Sequence, residues 1–424
     1  MGVHGLEHGD EVTPKAVRLT GISVAPSPDA SERVRLTAQV AYDAPAAAGE
    51  SVWIEVPAAY AGALSPNGNP WLACGLPLAM HRREPLHVDA PVDAMLLDGM
   101  TDVARLWAAW FPPFQPVPVT VASVTGPPVA PEPAGRVGAF FSGGVDSFFT
   151  LLRRERDRAW NPHAAVDDLL VVHGFDVPLG NAEAFERLCT DLQRVADTMG
   201  KTLIPVRTNI RDTGFRDLAW DRLGHGPALA AVALALEPRF RAVALASARE
   251  YPYSSAGWGS HPVSDPLFST QRMRLVHDGG TYNRVDKVCA IADSDLAMRH
   301  LRVCWRSLSD VNCGTCEKCY RTMITLAIVG ALERCTTFPT RSLDLDRVAR
   351  MYCENWVTKG FNRSNRALAV SRERFDIVQA LDASYRLSRR RDALRAAADL
   401  LAKAPLVWRL SAPLHRAARR NVIK

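Results

Sequence analysis

The chain has 424 residues, a formal charge of +6, 47% hydrophobic and 23% charged residues, which are ordinary values for a globular protein long enough to hold two or three domains. They argue against a small disulfide-stapled secreted domain, and they permit polyanionic partners without demanding them. The start, MGVHGLEHGDEV, lacks a basic-then-apolar signal, and no stretch approaches eighteen consecutive apolar residues, so a soluble, cytoplasmic protein with no membrane partner is expected.

In chain order, residues 1–125 are predicted to form a β-rich domain. Its strands are read from alternating runs at Ala16–Thr20, Val34–Val40 and Val52–Val56, with turn-formers at Ser27-Pro28-Asp29 and Ser65-Pro66-Asn67-Gly68 between them. One helix is predicted near Met100–Trp110, ended by Pro112-Pro113. The proline-dense stretch 126–135 reads as a semi-rigid linker and the clearest domain boundary. From 136 to 339 the pattern changes to strands at Val137–Phe141, Leu169–His173, Thr202–Val206 and Ala242–Ala246. Helices are predicted between them at Ser147–Arg158, Ala182–Gly200 and Gly226–Leu236. That alternation predicts an α/β domain with a parallel, doubly wound sheet. Residues 340–424 read as a helical, basic region. Arg386–Lys424 carries eleven Lys/Arg against Asp392 and Asp399, read first as a solvated extension and second as a face for nucleic acid or membrane.

The segment richest in chemistry is Phe141-Ser142-Gly143-Gly144-Val145-Asp146-Ser147, running on to Leu151. An apolar strand enters two glycines and a helix opens at once, so backbone N–H groups and the helix dipole can meet a phosphate. Ser142 and Ser147 can donate hydroxyl hydrogen bonds, and Asp146 beside a phosphate implies Mg²⁺. No GxxxxGK[ST] is present, so this is not a Walker loop. His173 and Ser247, at the ends of the second and fourth strands, stand where adenine contacts are made, although a core histidine is the plainer reading of His173. Arg249, His261, Asp265 and Lys287 follow the fourth strand and are candidate substrate residues, each also readable as a structural polar group.

Cys304, Cys313, Cys316 and Cys319 are spaced C-x8-C-x2-C-x2-C. Four thiolates with no open position suit a closed structural Zn²⁺; a CxxC redox pair and an iron–sulfur cluster are the competing readings. The other five of the nine cysteines are scattered and read as buried small hydrophobes.

The string SGGVDS resembles the phosphate loop of the N-type ATP pyrophosphatase (PP-loop) superfamily, and together with the cysteine spacing and the run Cys313–Arg321 it resembles the 7-cyano-7-deazaguanine synthase family. The resemblance covers 136–339, about half the chain. It implies an adenine-nucleotide α-hydrolase-like sheet with ATP bound by Phe141–Ser147 and Leu151. Asp146 and Ser147 would be catalytic, Mg²⁺ and Zn²⁺ present, and a small-molecule carboxylate and ammonia the other substrates. In that family one ATP activates a carboxylate for amide formation and a second drives dehydration to a nitrile. The stretch Ala248–Leu267 corresponds in place to the family's substrate segment but differs in order. The front region and helical tail have no counterpart in a minimal family member. Two other readings stay open: a sulfur-transferring tRNA-modifying enzyme using Cys189 or Cys289, and a non-catalytic ATP- or partner-binding module. RNA is a less favoured partner, and the sequence allows a homodimer.

Overall fold

The computed structural model describes residues 16–42, 49–126, 135–253 and 257–403. The chain divides into two compact units, Met1–Cys313 and Gly314–Lys424.

The first unit is built on one ten-stranded mixed sheet. Its strands are β1 (Val17–Pro26), β2 (Arg33–Tyr42), β3 (Glu50–Pro57), β4 (Leu86–Asp93), β5 (Val119–Thr125), β6 (Arg136–Phe140), β7 (Asp168–His173), β8 (Thr202–Thr208), β9 (Phe240–Ala246) and β10 (Arg274–Asp278). Their order is β10-β9-β6-β7-β8-β3-β2-β1-β4-β5. β10, β9, β6, β7 and β8 are mutually parallel; β8, β3, β2 and β1 are successively antiparallel; β1, β4 and β5 are again parallel. Leu169, Leu170 and Val171 of β7 are consecutive and all buried, as a strand covered on both faces requires. In β2 the buried residues are Leu36, Ala38 and Val40, the period of two that a strand imposes.

Among the described residues this unit holds seven α-helices: α1 (Asn69–Arg82), α2 (Ala94–Trp110), α3 (Val145–Asp157), α4 (Ala182–Met199), α5 (His225–Ala235), α6 (Arg284–Ala292) and α7 (Asp295–His300). α1 packs on α5, and α3 on α6. α1 and α5 are buried along nearly their whole length, the mark of a helix inside a large core. α2 begins at Ala94, earlier than the predicted Met100, because Asp93 caps it by accepting from the N–H groups of Met95 and Leu96.

The expected boundary at 126–135 does not separate two sheets. Its residues 127–134 lie outside the described residues, but the strands before and after it share one sheet through β3 and β8. Two residue pairs form the ladder there, Ile54 with Thr208 and Glu55 with Arg207. Side chains extend it: Asn209 accepts from the Trp53 N–H at 2.8 Å and donates to the Ser51 carbonyl at 2.8 Å, while Thr208 donates to the Trp53 carbonyl at 2.7 Å. The fully buried Glu55 carboxylate gathers Arg33 (2.7 Å), Arg35 (2.8 Å), Arg207 (3.2 Å) and the Ser27 hydroxyl (2.6 Å). Proline content reports a stiff chain, not where distant strands pair.

The second unit holds α8 (Glu317–Ile328), α9 (Leu345–Arg350), α10 (Trp356–Ser371) and α11 (Phe375–Lys403). Tyr320, Ile324, Ile328, Val348, Ala369, Ile377 and Leu381 form its core. The helical region therefore begins earlier than 340. Residues 404–424 of the basic tail lie outside the described residues. Among the described residues no helix is long and apolar enough to cross a membrane.

Candidate functional site

Within the parallel block the order β8-β7-β6-β9-β10 reverses at β6: the next strand in sequence, β7, lies on one side and β9 on the other. In open α/β sheets such a switch point leaves a crevice outside the carboxyl ends of the strands. The loop Phe141–Gly144 leaves β6 at that place. Gly143 takes φ +73°, a left-handed conformation that favours glycine. Gly144 is the N-cap of α3 and offers no side-chain cap, so the first-turn N–H groups, which have no intrahelical acceptor, meet no capping side chain. Ser142 is exposed, whereas the buried Ser147 hydroxyl donates to the Gly144 carbonyl at 3.0 Å. Phe141 and Leu151 are core side chains, and Phe141 packs edge-on against Phe148 at 4.9 Å.

Asp146, in the first turn of α3, is shared by two cations of α6. Arg284 Nη2 lies 2.8 Å from Oδ2 and Lys287 Nζ 3.4 Å from Oδ1. The carboxylate expected to serve Mg²⁺ is thus paired within the chain. Lys287 is buried and also donates to the Ser247 carbonyl at 2.5 Å. Burial pushes its pKa below the ordinary lysine value, against the opposing pull of Asp146. Ser247, at the end of β9, is fully buried, so Asp146, Lys287 and Ser247 are brought together as one cluster. Behind it, Asp278 at the end of β10 accepts from Thr150 (3.1 Å), Arg153 (2.7 Å) and Arg154 (2.6 Å). Burial pushes that carboxyl up, but the two guanidinium groups outweigh it and hold it below the usual range.

His173 is buried, stacks on Phe185 at 4.3 Å, and places Nε2 2.9 Å from the Pro178 carbonyl. Burial lowers its pKa. Its ring is committed to its own chain, in keeping with the plainer reading. The next residue, Gly174, has φ +100°, and a Cβ there would lie 2.0 Å from the Thr208 carbonyl oxygen. That glycine serves the close approach of β8's end.

Arg249 is half-buried and lies 3.7 Å above the Trp258 ring. His261 is buried 4.5 Å from Trp110. Asp265 accepts from the His261 N–H (2.9 Å) and the Ser260 hydroxyl (2.6 Å), and pairs with His277 Nδ1 at 2.7 Å. His277 Nε2 is buried with no hydrogen-bond partner. Arg249, His261 and Asp265 lie in the β9–β10 connection, and Arg249 is joined to the Asp146 cluster because the Ser247 hydroxyl bonds its backbone; Ser254–Ala256 of the expected substrate segment lie outside the described residues. Sequence reasoning does not name Arg284, His277 or Arg302. The 284/287 pair on one helix is the signal that could have found Arg284.

The thiols of Cys304, Cys313, Cys316 and Cys319 lie within 4.8 Å of one another. Around a tetrahedral zinc with Zn–S of about 2.3 Å the sulfurs sit about 3.8 Å apart, so the donor set fits one ion. Cys316 caps α8, its sulfur accepting from the Cys319 N–H at 3.4 Å, and the Cys304 sulfur accepts from the Ser307 N–H at 3.4 Å. Such N–H···S bonds stabilise thiolates, as a metal site needs. The four cysteines could hold a metal such as zinc.

Compared with known proteins, the sequence matches no family model, and no curated protein or solved structure matches it.

Proposed function

We propose that the chain is an ATP-dependent, AMP-forming ligase of the PP-loop type, acting on a carboxylate such as 7-carboxy-7-deazaguanine with ammonia. The observation that carries this is the position of Ser142–Ser147: a glycine turn with an uncapped helix start at the strand where the sheet order reverses. The parallel block, numbered from its first strand, has the order 3-2-1-4-5 of mononucleotide-binding sheets, which supports the adenine-nucleotide α-hydrolase-like reading.

In this reading the loop N–H groups and Ser142 hold the β- and γ-phosphates. A carboxylate oxygen of the substrate attacks the α-phosphorus and the α–β bridging P–O bond breaks. Pyrophosphate leaves, and ammonia then displaces AMP to give an amide. The protein's share is positioning and charge stabilisation. Magnesium would neutralise phosphate charge, and Asp146 would hold it on release from Arg284 and Lys287, which pair with that carboxylate. The four-cysteine zinc would be structural, because no coordination position is left open.

The sulfur-transfer alternative needs a reactive thiolate. Burial pushes Cys189 up to about 12, which is unfavourable for that role. The test is product mass after incubation with MgATP, ammonium and 7-carboxy-7-deazaguanine. The reading expects AMP, pyrophosphate and an amide or its dehydrated nitrile; an unchanged carboxylate would remove that substrate.

A further inference from the structure

The Walker-type lysine is missing from the loop, and the two cations nearest Asp146 are engaged by it. A third cation meets the loop from the segment after α7. Arg302 is 6% exposed, and its backbone N–H donates to the Gly143 carbonyl at 2.7 Å. A Cβ placed on Gly143 would lie 3.6 Å from the Arg302 Cβ, and one on Gly144 3.5 Å from its carbonyl oxygen. Arg302 is therefore pinned directly against the two glycines.

Its guanidinium is only partly satisfied. Nε donates to the Ser309 carbonyl at 2.8 Å. Nη1 lies 3.9 Å from an oxygen of Asp176, whose side chain is half exposed, a distance and setting at which the attraction is weak. Nη2 is buried and has no hydrogen-bond partner. A buried N–H donor without an acceptor is costly, and a guanidinium with free donors suits the fork of oxygens on a phosphate. Asp176 follows β7 and Gly143 follows β6, so this group stands at the carboxyl ends of neighbouring strands, where the crevice opens. The segment that carries it is held firmly: Asn312 accepts from the N–H groups of Val303 (2.8 Å) and Cys304 (3.1 Å) and donates to the Leu301 carbonyl at 2.8 Å.

We propose that Arg302 is a pyrophosphate-binding residue of the Ser142–Ser147 loop, supplying from the segment before the cysteine cluster the cation that the loop lacks. This rests on the reading of that loop as a phosphate site. Arg302 would bind the β- and γ-phosphates of a nucleoside triphosphate and hold the pyrophosphate as it leaves, with no part in binding the nucleoside.

The experiment is calorimetric titration of the full, metal-loaded chain with magnesium pyrophosphate and, separately, with adenosine, for the wild type, Arg302→Gln, Arg302→Lys and Ser142→Ala. The expected result is at least a tenfold loss of pyrophosphate affinity in Arg302→Gln with adenosine affinity unchanged. Arg302→Lys should lie in between. Equal pyrophosphate affinity in the wild type and Arg302→Gln, alongside a loss in Ser142→Ala, overturns the role of Arg302 alone. A parallel loss of adenosine and pyrophosphate affinity in both Arg302 variants also overturns it, because that is what structural damage would give. A wild type that binds adenosine but no pyrophosphate overturns the loop reading and this inference together.

Discussion

Two buried charges of the first unit, Glu55 and Arg302, are satisfied to very different degrees. Where β3 meets β8, Glu55 is sealed, with its carboxylate fully partnered by Arg33, Arg35, Arg207 and Ser27. At the carboxyl ends of β6 and β7, Arg302 is buried yet keeps an unpartnered Nη2. Glu55, satisfied by its own chain, joins elements of the sheet; on the proposed reading, the donor left over at Arg302 is a place for a phosphate. The first kind costs little only while every partner is present. The second carries a cost that phosphate binding would relieve.

The largest effect is expected at the four thiols, which could hold a metal such as zinc. Cys316→Ser removes one of four ligands, and structural zinc contributes about 10–16 kcal/mol of apparent binding energy in small peptides. Metal content should fall from one zinc per chain towards none, and the melting temperature should fall with it. Elemental analysis beside calorimetry checks this, and iron in place of zinc would restore the cluster alternative.

Glu55→Gln should come next, because it leaves Arg33 and Arg35, each nearly buried, without their counter-charge. A loss of about 3–5 kcal/mol is expected in urea denaturation. The pH dependence follows the same site. Burial pushes Glu55 up, while the hydrogen bonds from Ser27 and Arg35 outweigh it and hold its folded pKa below the usual value. Its contribution is therefore present above the unfolded carboxylate pKa and lost as pH falls through the lower folded one. The wild type should lose more stability on acidification than Glu55→Gln. Equal acid sensitivity in the two would place that loss elsewhere, with Asp278 next to examine.

A smaller effect is expected from Asn209→Ala, which removes two side-chain bonds from the β3–β8 seam. About 1–2 kcal/mol should be lost, with no change in pyrophosphate affinity. A change in that affinity would mean that the two halves are coupled.

The sequence makes the parallel block easy to read, because short apolar runs alternate with helical ones and the glycine pair falls between a strand and a helix. β6, β7, β8, β9, α3, α4 and α5 lie close to their predicted places. β10 was not legible: Arg274–Asp278 is short and carries Arg, His and Asp, so it lacks an apolar run. α1 was hidden by Pro70, Gly75 and Pro77, of which a proline at the helix start is compatible with a helix but one inside it is not normally favoured. The seam depends on pairing between residues more than 150 positions apart, such as Glu55 with Arg207, which no local pattern records. At the site, Asp146, Ser147 and the four cysteines were legible through their spacing. Arg284 and Arg302 were not, because they meet the loop from α6 and from the segment after α7, and only the folded chain brings them there.

If Ser142–Ser147 holds ATP for attack at the α-phosphorus, the identity of the nucleotide products will show it. With MgATP, ammonium and a carboxylate substrate, the wild type should release AMP and pyrophosphate in equal amounts. Asp146→Asn should abolish that release, and so should Ser142→Ala, whose exposed side chain can be removed without disturbing the core. ADP and orthophosphate from the wild type, or undiminished pyrophosphate release by both variants, would rule out attack at the α-phosphorus of ATP held by this loop.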